Sequence, residues 1–157
     1  MTPTRPNRWA LGFIAGALAV LVFHQGVVAV FYLLFGGPRA PYNWSPTAPF
    51  GVPAVLSSAF FGGLWGIVML EVLRSRFERG RAWLAAIVFG ALLPSAVALF
   101  IVLPLKGQPV AGGWQAKIIG FALLVNGAWG LGTVLIAAGM RRLGLFRAAP
   151  DGSQPTS

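Results

Sequence analysis

Three residues with amide or imidazole side chains lie within long apolar stretches of the sequence, where such groups are unusual. His24 and Gln25 fall in the first stretch, and Asn126 falls in the last. Such groups are costly to bury at membrane depth and commonly mark functional positions. The three residues could line a polar path for a solute, or they could bond across helices and stabilise their packing. We expect Asn126 to be the partner of His24, with Gln25 directed toward another neighbour.

The other reactive residue types exclude most enzyme chemistry. The chain of 157 residues has no cysteine, one histidine and three acidic residues, which are Glu71, Glu78 and Asp151. Thiolate sites and metal sites built from several histidines are therefore excluded. No acidic residue lies in the middle of an apolar stretch, so a pair of carboxylates for acid–base hydrolysis is missing. We expect a protein that is not an enzyme and that holds no metal ion and no cofactor.

The elements that position these residues are membrane-spanning helices. Hydrophobic residues make up 57% of the chain and charged residues 10%, against about 25% charged residues in soluble domains. Four apolar stretches reach the roughly 20 residues that a span requires, at 9–35, 52–73, 82–105 and 117–141. The sequence predicts an all-α integral membrane four-helix bundle forming one domain over residues 9–141. Residues 36–51 form a proline-rich outer loop.

The basic residues predict the orientation of the spans. Nine of the twelve lie on one side of the predicted bundle, at Arg5, Arg8, Arg74, Arg76, Arg79, Arg81, Arg141, Arg142 and Arg147. The other three are Arg39, Lys106 and Lys117. Since Lys and Arg are retained on the cytoplasmic side, both termini are expected in the cytoplasm. They comprise the N-terminal segment 1–8 and the tail 142–157, which we expect to be disordered.

Four arginines cluster in the short loop between the second and third stretches, at Arg74, Arg76, Arg79 and Arg81. The cluster has two interpretations. It acts only as a determinant of topology, or it also binds anionic lipid head groups on the cytoplasmic side at about 1 kcal/mol per basic residue. The basic residues lie between apolar stretches rather than on one folded face, so nucleic acid is not an expected partner.

Two short matches relate the halves of the chain. The tripeptide GAL at 16–18 recurs at 90–92, an offset of 74 residues, and GLWG at 63–66 resembles GAWG at 127–130, an offset of 64. They predict two tandem helical hairpins related by an axis near the membrane normal. Chance matches between Gly- and Ala-rich helices are the alternative.

Glycines are frequent, at 21 residues, and small residues let helices in a membrane approach closely. The candidate packing positions are Gly12, Gly16, Gly62, Gly63, Gly66, Gly127 and Gly130. They serve packing inside the monomer or a homodimer contact. In the third stretch, Pro94 removes the hydrogen bond to the Gly90 carbonyl and predicts a kink, with the Ser95 hydroxyl nearby.

Several segments of the chain resemble small, uncharacterised four-span proteins of the bacterial inner membrane. They are GFIAGAL at 12–18, FHQG at 23–26, PFGVP at 49–53 and GGLWG at 62–66. The resemblance covers residues 9–140 and implies a location in that membrane and a four-span architecture, but no activity. Small multidrug transporters have a similar size and span number, yet they use a glutamate in the first helix that is missing here.

The expected function is that of a structural or accessory membrane protein, which packs against lipid and against a second copy or a larger membrane complex. The alternative is a small transporter or permeation pathway with a polar site at His24, Gln25 and Asn126.

Overall fold

The computed structural model describes residues 5–37 and 40–146, and four helices in that part are long and apolar enough to cross a membrane. They are Asn7–Phe35, Ala54–Val72, Trp83–Leu105 and Ala116–Arg142, which we call the first to fourth spans. The predicted all-α four-helix bundle is confirmed. The first helix begins at Arg5, so it includes part of the segment predicted to precede it. The tail predicted to be disordered lies outside the described residues from position 147 onward.

Two of the spans contain a turn of π-helix. The first runs as α-helix over Arg5–Ala19, as π-helix over Val20–His24 and again as α-helix over Gln25–Phe35. The third runs over Trp83–Val97, Ala98–Val102 and Leu103–Leu105, and its π turn follows Pro94. The chain is α-helical through Pro94 itself, and the π turn begins four residues after it. The kink at Pro94 therefore stays a prediction.

The second part of the proline-rich loop forms a small β-hairpin with the residues just before the second span. Strands Pro46–Thr47 and Val52–Pro53 pair antiparallel, and the Thr47 hydroxyl donates to the Val52 carbonyl at 2.7 Å. Backbone N–H groups of Ala54 and Val55 donate back to the loop, both at 3.0 Å. These bonds fix the loop to the start of the second span.

The remaining short elements lie in the other two connections. Helix Arg74–Glu78 follows the second span, and a 3₁₀ turn at Val110–Gly112 precedes the fourth. We call the loop between the second and third spans, which carries Arg74, Arg76, Arg79 and Arg81, the arginine loop. At this end of the bundle, Glu71 accepts from the Arg8 guanidinium at 3.3 Å and from the Trp9 indole at 3.1 Å. The start of the first helix is thereby fixed to the end of the second span.

The four spans pack as two hairpins. The first span lies along the second, the third lies along the fourth, and the hairpins join mainly where the first span meets the fourth. The core is apolar and consists largely of residues from the arginine-loop half of the bundle, namely Leu11, Ala15, Ala19, Val20, Met69, Leu70, Leu73, Ala82, Ala86, Phe89, Trp129, Val134 and Ala137. Toward the proline-rich loop, residues Gln25–Phe35 of the first span no longer pack along the second span.

Candidate functional site

The structure separates Asn126 from His24 and Gln25, which the sequence groups with it. The side-chain amide of Asn126 donates to the Ser95 hydroxyl at 3.0 Å, and Ser95 donates to the Ala122 carbonyl at 2.9 Å. Asn126 thus lies on the face of the fourth span that packs against the third. The prediction that His24 and Asn126 bond to each other is wrong, because the Asn126 amide points toward the third span and not toward the first span.

Gln25 binds the proline-rich loop. Its side chain is almost fully buried, at 7% exposure, and its Oε1 accepts a hydrogen bond from the backbone N–H of Tyr42 at 2.8 Å. The hydroxyl of Tyr42 reaches further down the first span and donates to the Leu21 carbonyl, also at 2.8 Å. A single loop residue therefore bonds to the first span at two points, one turn apart.

The π turn explains why the Leu21 carbonyl accepts from a side chain. In a regular α-helix the N–H of Gln25 would donate to that carbonyl, four residues earlier. Here it donates to Val20 and Val22 instead. A carbonyl released in this way within a membrane needs another donor. The Tyr42 hydroxyl supplies it.

His24 is the last residue of this π turn. Its Nδ1 atom is buried and has no hydrogen-bond partner among the described residues. The backbone of Tyr42 is in the left-handed conformation, with φ of 52°, and residues other than glycine adopt this conformation at an energetic cost. The π turn, the unpartnered imidazole nitrogen and the strained loop residue all lie at one place. Features of these kinds concentrate at functional sites.

Tyr42 belongs to this site, although no pattern in the sequence indicates it. In the sequence it is one aromatic residue in a loop with several prolines, which is typical of a membrane interface. No periodicity or spacing relates it to Gln25, because the loop must fold back on the span before the two meet.

Glycines bring the first and second spans into backbone contact. A Cβ atom on Gly16 would overlap the Gly62 carbonyl oxygen, and one on Gly66 would overlap the Gly12 carbonyl oxygen. Only glycine lets the two helices approach so closely. All seven glycines predicted to pack lie against a neighbouring span, at Gly12, Gly16, Gly62, Gly63, Gly66, Gly127 and Gly130.

The third and fourth spans make the same contacts. A Cβ atom on Gly90 would overlap the Asn126 carbonyl oxygen, and one on Gly130 would overlap the Ala86 carbonyl oxygen. Each of these residues lies 74 or 64 positions after its counterpart in the first hairpin, which are the two offsets of the sequence matches. The hairpin contacts therefore recur at the spacing of the sequence repeat.

Gly63 and Gly127 occupy corresponding places with different room around them. A Cβ atom on Gly63 would stand 2.7 Å from the ring of Phe13, whereas one on Gly127 would stand 3.6 Å from Ile87. The first distance requires the ring to move, and the second is an ordinary contact. A methyl group therefore fits at Gly127, whereas at Gly63 it requires the Phe13 ring to move.

The arginines of the loop between the second and third spans are all exposed, at Arg74, Arg76, Arg79 and Arg81. Phe77 of the same loop lies under the guanidinium of Arg141, whose central carbon is 5.2 Å from the ring centroid. This cation–π contact joins the loop to the end of the fourth span. The loop therefore lies against the bundle with its arginines accessible.

No protein family model matches this chain, and neither a curated protein nor a solved structure matches it.

Proposed function

We propose that the protein is a structural or accessory component of the bacterial inner membrane, where it acts by packing. The observation that carries this proposal is the bond from Asn126 to Ser95, because it commits the amide to the contact between the third and fourth spans. Gln25 is similarly committed to the loop, and the Thr133 hydroxyl donates to the Trp129 carbonyl at 2.9 Å. Asn126 and Gln25 thus each join two elements of the bundle, whereas Thr133 is bonded within its own helix.

The test compares flux with stability. Asn126→Leu removes the bond to Ser95, so we expect reduced resistance to unfolding in detergent. Vesicles loaded with a pH-sensitive dye should show the same proton leak with the variant as with the wild-type protein. A proton flux that exceeds that of empty vesicles and is lost in a folded Asn126→Leu variant would reject the packing role.

A small transporter or permeation pathway is the second candidate function. It is favoured by one observation, the buried Nδ1 of His24 with no partner among the described residues. His24→Ala is the matching variant. Loss of a pH-dependent flux in a protein that remains folded would support transport, whereas a change in stability alone would support packing.

In this proposal both termini face the cytoplasm, because nine basic residues lie on that side and three on the other. Reporter fusions after Ser157 and within residues 41–49 test it. A reporter active only in the periplasm should work in the loop and fail at the C-terminus. The reverse pattern would overturn the orientation.

The proposed partners are the bilayer, with anionic lipids at the exposed arginines, and a second copy or a larger membrane complex. Lipid binding is tested by the retention of phosphatidylglycerol against phosphatidylcholine on the purified protein. Replacing Arg76, Arg79 and Arg81 with Gln should remove the preference for the anionic lipid, while Arg142→Gln should keep most of it. An unchanged preference in the triple variant would exclude the loop as the site.

A further inference from the structure

The two halves of the first span are held in different ways. Its first half, Arg5–Ala19, contacts the second span through glycine backbone and cannot turn without separating the helices. Its second half, Gln25–Phe35, does not pack along the second span. A contact with the fourth span remains, where the rings of Phe31 and Phe121 stand 5.1 Å apart. The second half therefore has freedom to rotate that the first half lacks.

The π turn at Val20–His24 lies at the junction of these halves. A π turn takes more residues per turn than an α-helix, so its conversion to α-helix winds the chain further. The residues beyond it would then rotate forward by about 100°, the angle of one residue. Each side chain of Gln25–Phe35 would move toward the direction that its successor now has.

Tyr42 bonds to both sides of this junction. Its hydroxyl occupies the Leu21 carbonyl, which in an α-helix would accept from the Gln25 N–H. Its backbone N–H holds the side chain of Gln25, the first residue after the π turn. Both bonds fit only the π register, since winding the turn into α-helix returns a backbone donor to Leu21 and rotates Gln25 away from the loop.

We propose that the two hydrogen bonds of Tyr42 hold Val20–His24 in the π-helical conformation. When they break, this turn converts to α-helix and the second half of the span rotates by about 100°, the angle of one residue. This conformational device goes beyond the proposed packing role and does not depend on it. The left-handed backbone of Tyr42 favours release, while its two hydrogen bonds oppose it. Release would rotate the unpartnered imidazole of His24 together with the moving half.

The test uses the absence of cysteine from the chain, because every introduced cysteine is then a unique label site. Nitroxide labels at single positions from 26 to 30 report accessibility to oxygen in vesicles of phosphatidylethanolamine and phosphatidylglycerol. In the wild-type background the lowest accessibility is expected at position 28 and the highest at position 30, since Val28 is 9% exposed and Val30 is 50% exposed.

In the Tyr42→Phe background the minimum should move to position 27 and the maximum to position 29. The matched control is Tyr32→Phe, which removes the hydroxyl of the only other tyrosine. It should keep the wild-type pattern. An unchanged pattern in Tyr42→Phe, or the same displacement in Tyr32→Phe, would overturn the proposal.

A deletion distinguishes the stabilisation of the π turn by Tyr42 from a general requirement for Tyr42 in folding. Removing Val22, an exposed residue of the π turn, should give an α-helix that keeps the wild-type orientation of the second half. In that background Tyr42→Phe should leave the pattern unchanged. If Tyr42→Phe does not fold alone, its rescue by the Val22 deletion supports the proposal that Tyr42 holds the π turn. Failure of both proteins to fold would reject it.

Discussion

The contact between the first and fourth spans and the contact between the second and third spans are built from corresponding residues, but they close differently. We call them the first–fourth seam and the second–third seam. In the first–fourth seam Trp129 is 2% exposed, and its indole N–H donates to the Gly16 carbonyl at 2.9 Å. This bond joins the two hairpins directly, from a side chain of one to the backbone of the other.

In the second–third seam the corresponding tryptophan is Trp65, 64 residues earlier. It packs edge-on against Phe89, with ring centroids 6.0 Å apart, and is only partly buried. No hydrogen-bond partner of its indole lies in the described part of the chain. The seam is thus closed by side chains and not by contact with backbone.

The two seams differ at one pair of corresponding residues. Ala15 precedes Gly16 and has no exposed surface, and its counterpart 74 residues later is Phe89. We infer that the small side chain of Ala15 lets Trp129 reach the Gly16 carbonyl, whereas the Phe89 ring packs against Trp65. Matching contacts within the two hairpins therefore do not imply matching contacts between them, because the volume of one side chain can decide how closely two helices approach.

The largest effect on stability is expected when Ala15 is replaced by phenylalanine, the residue at the corresponding position of the second–third seam. Ala15→Phe places a ring at a position with no exposed surface, so we expect it to displace Trp129 and to cost about 3 kcal/mol of unfolding free energy. Reversible unfolding in mixed micelles measures it. Leu18→Phe, at a position 40% exposed on the same helix, is the control and should be nearly neutral. Equal stability of the two variants would reject this explanation of the asymmetry.

The hairpins themselves should respond alike. Gly66→Ala and Gly130→Ala each place a methyl group into a carbonyl oxygen of the facing helix, and each should cost about 2 kcal/mol of unfolding free energy. Gly120→Ala is the control, since nothing lies within 4 Å of its added carbon. A loss in only one hairpin would show that the two glycine contacts are not equivalent in energy.

The sequence predicted what depends on local pattern. Span number follows from hydropathy, and the glycine contacts of the two hairpins recur at the offsets of 74 and 64 residues that relate the sequence matches. It did not predict the partner of Asn126, since a rotation of about 100° per residue decides which helix an amide faces. Neither the π turns nor the return of Tyr42 to Leu21 has a sequence signal, because both depend on contacts far apart in the chain.

The two tryptophans give a smaller, matched test of the seams. Trp129→Phe removes the hydrogen bond to Gly16, while Trp65→Phe removes the same volume without such a bond. We expect Trp129→Phe to cost about 1 kcal/mol more, as the bond and the tighter burial are lost together. The same unfolding measurement compares them. A larger loss for Trp65→Phe would reverse the assignment of the tighter seam.

The smallest effect concerns Gly63 and Gly127, which are equivalent in the repeat but differ in their surroundings. Gly63→Ala brings a methyl group to within 2.7 Å of the Phe13 ring, which can move aside, so we expect a loss of about 0.5 kcal/mol. Gly127→Ala meets Ile87 at 3.6 Å and should leave stability unchanged. In a Phe13→Leu background, Gly63→Ala should cause no further loss of unfolding free energy, because the ring that it would contact is then missing. If Gly127→Ala proves the more damaging of the two, the fourth span must lie closer to the third than these distances indicate.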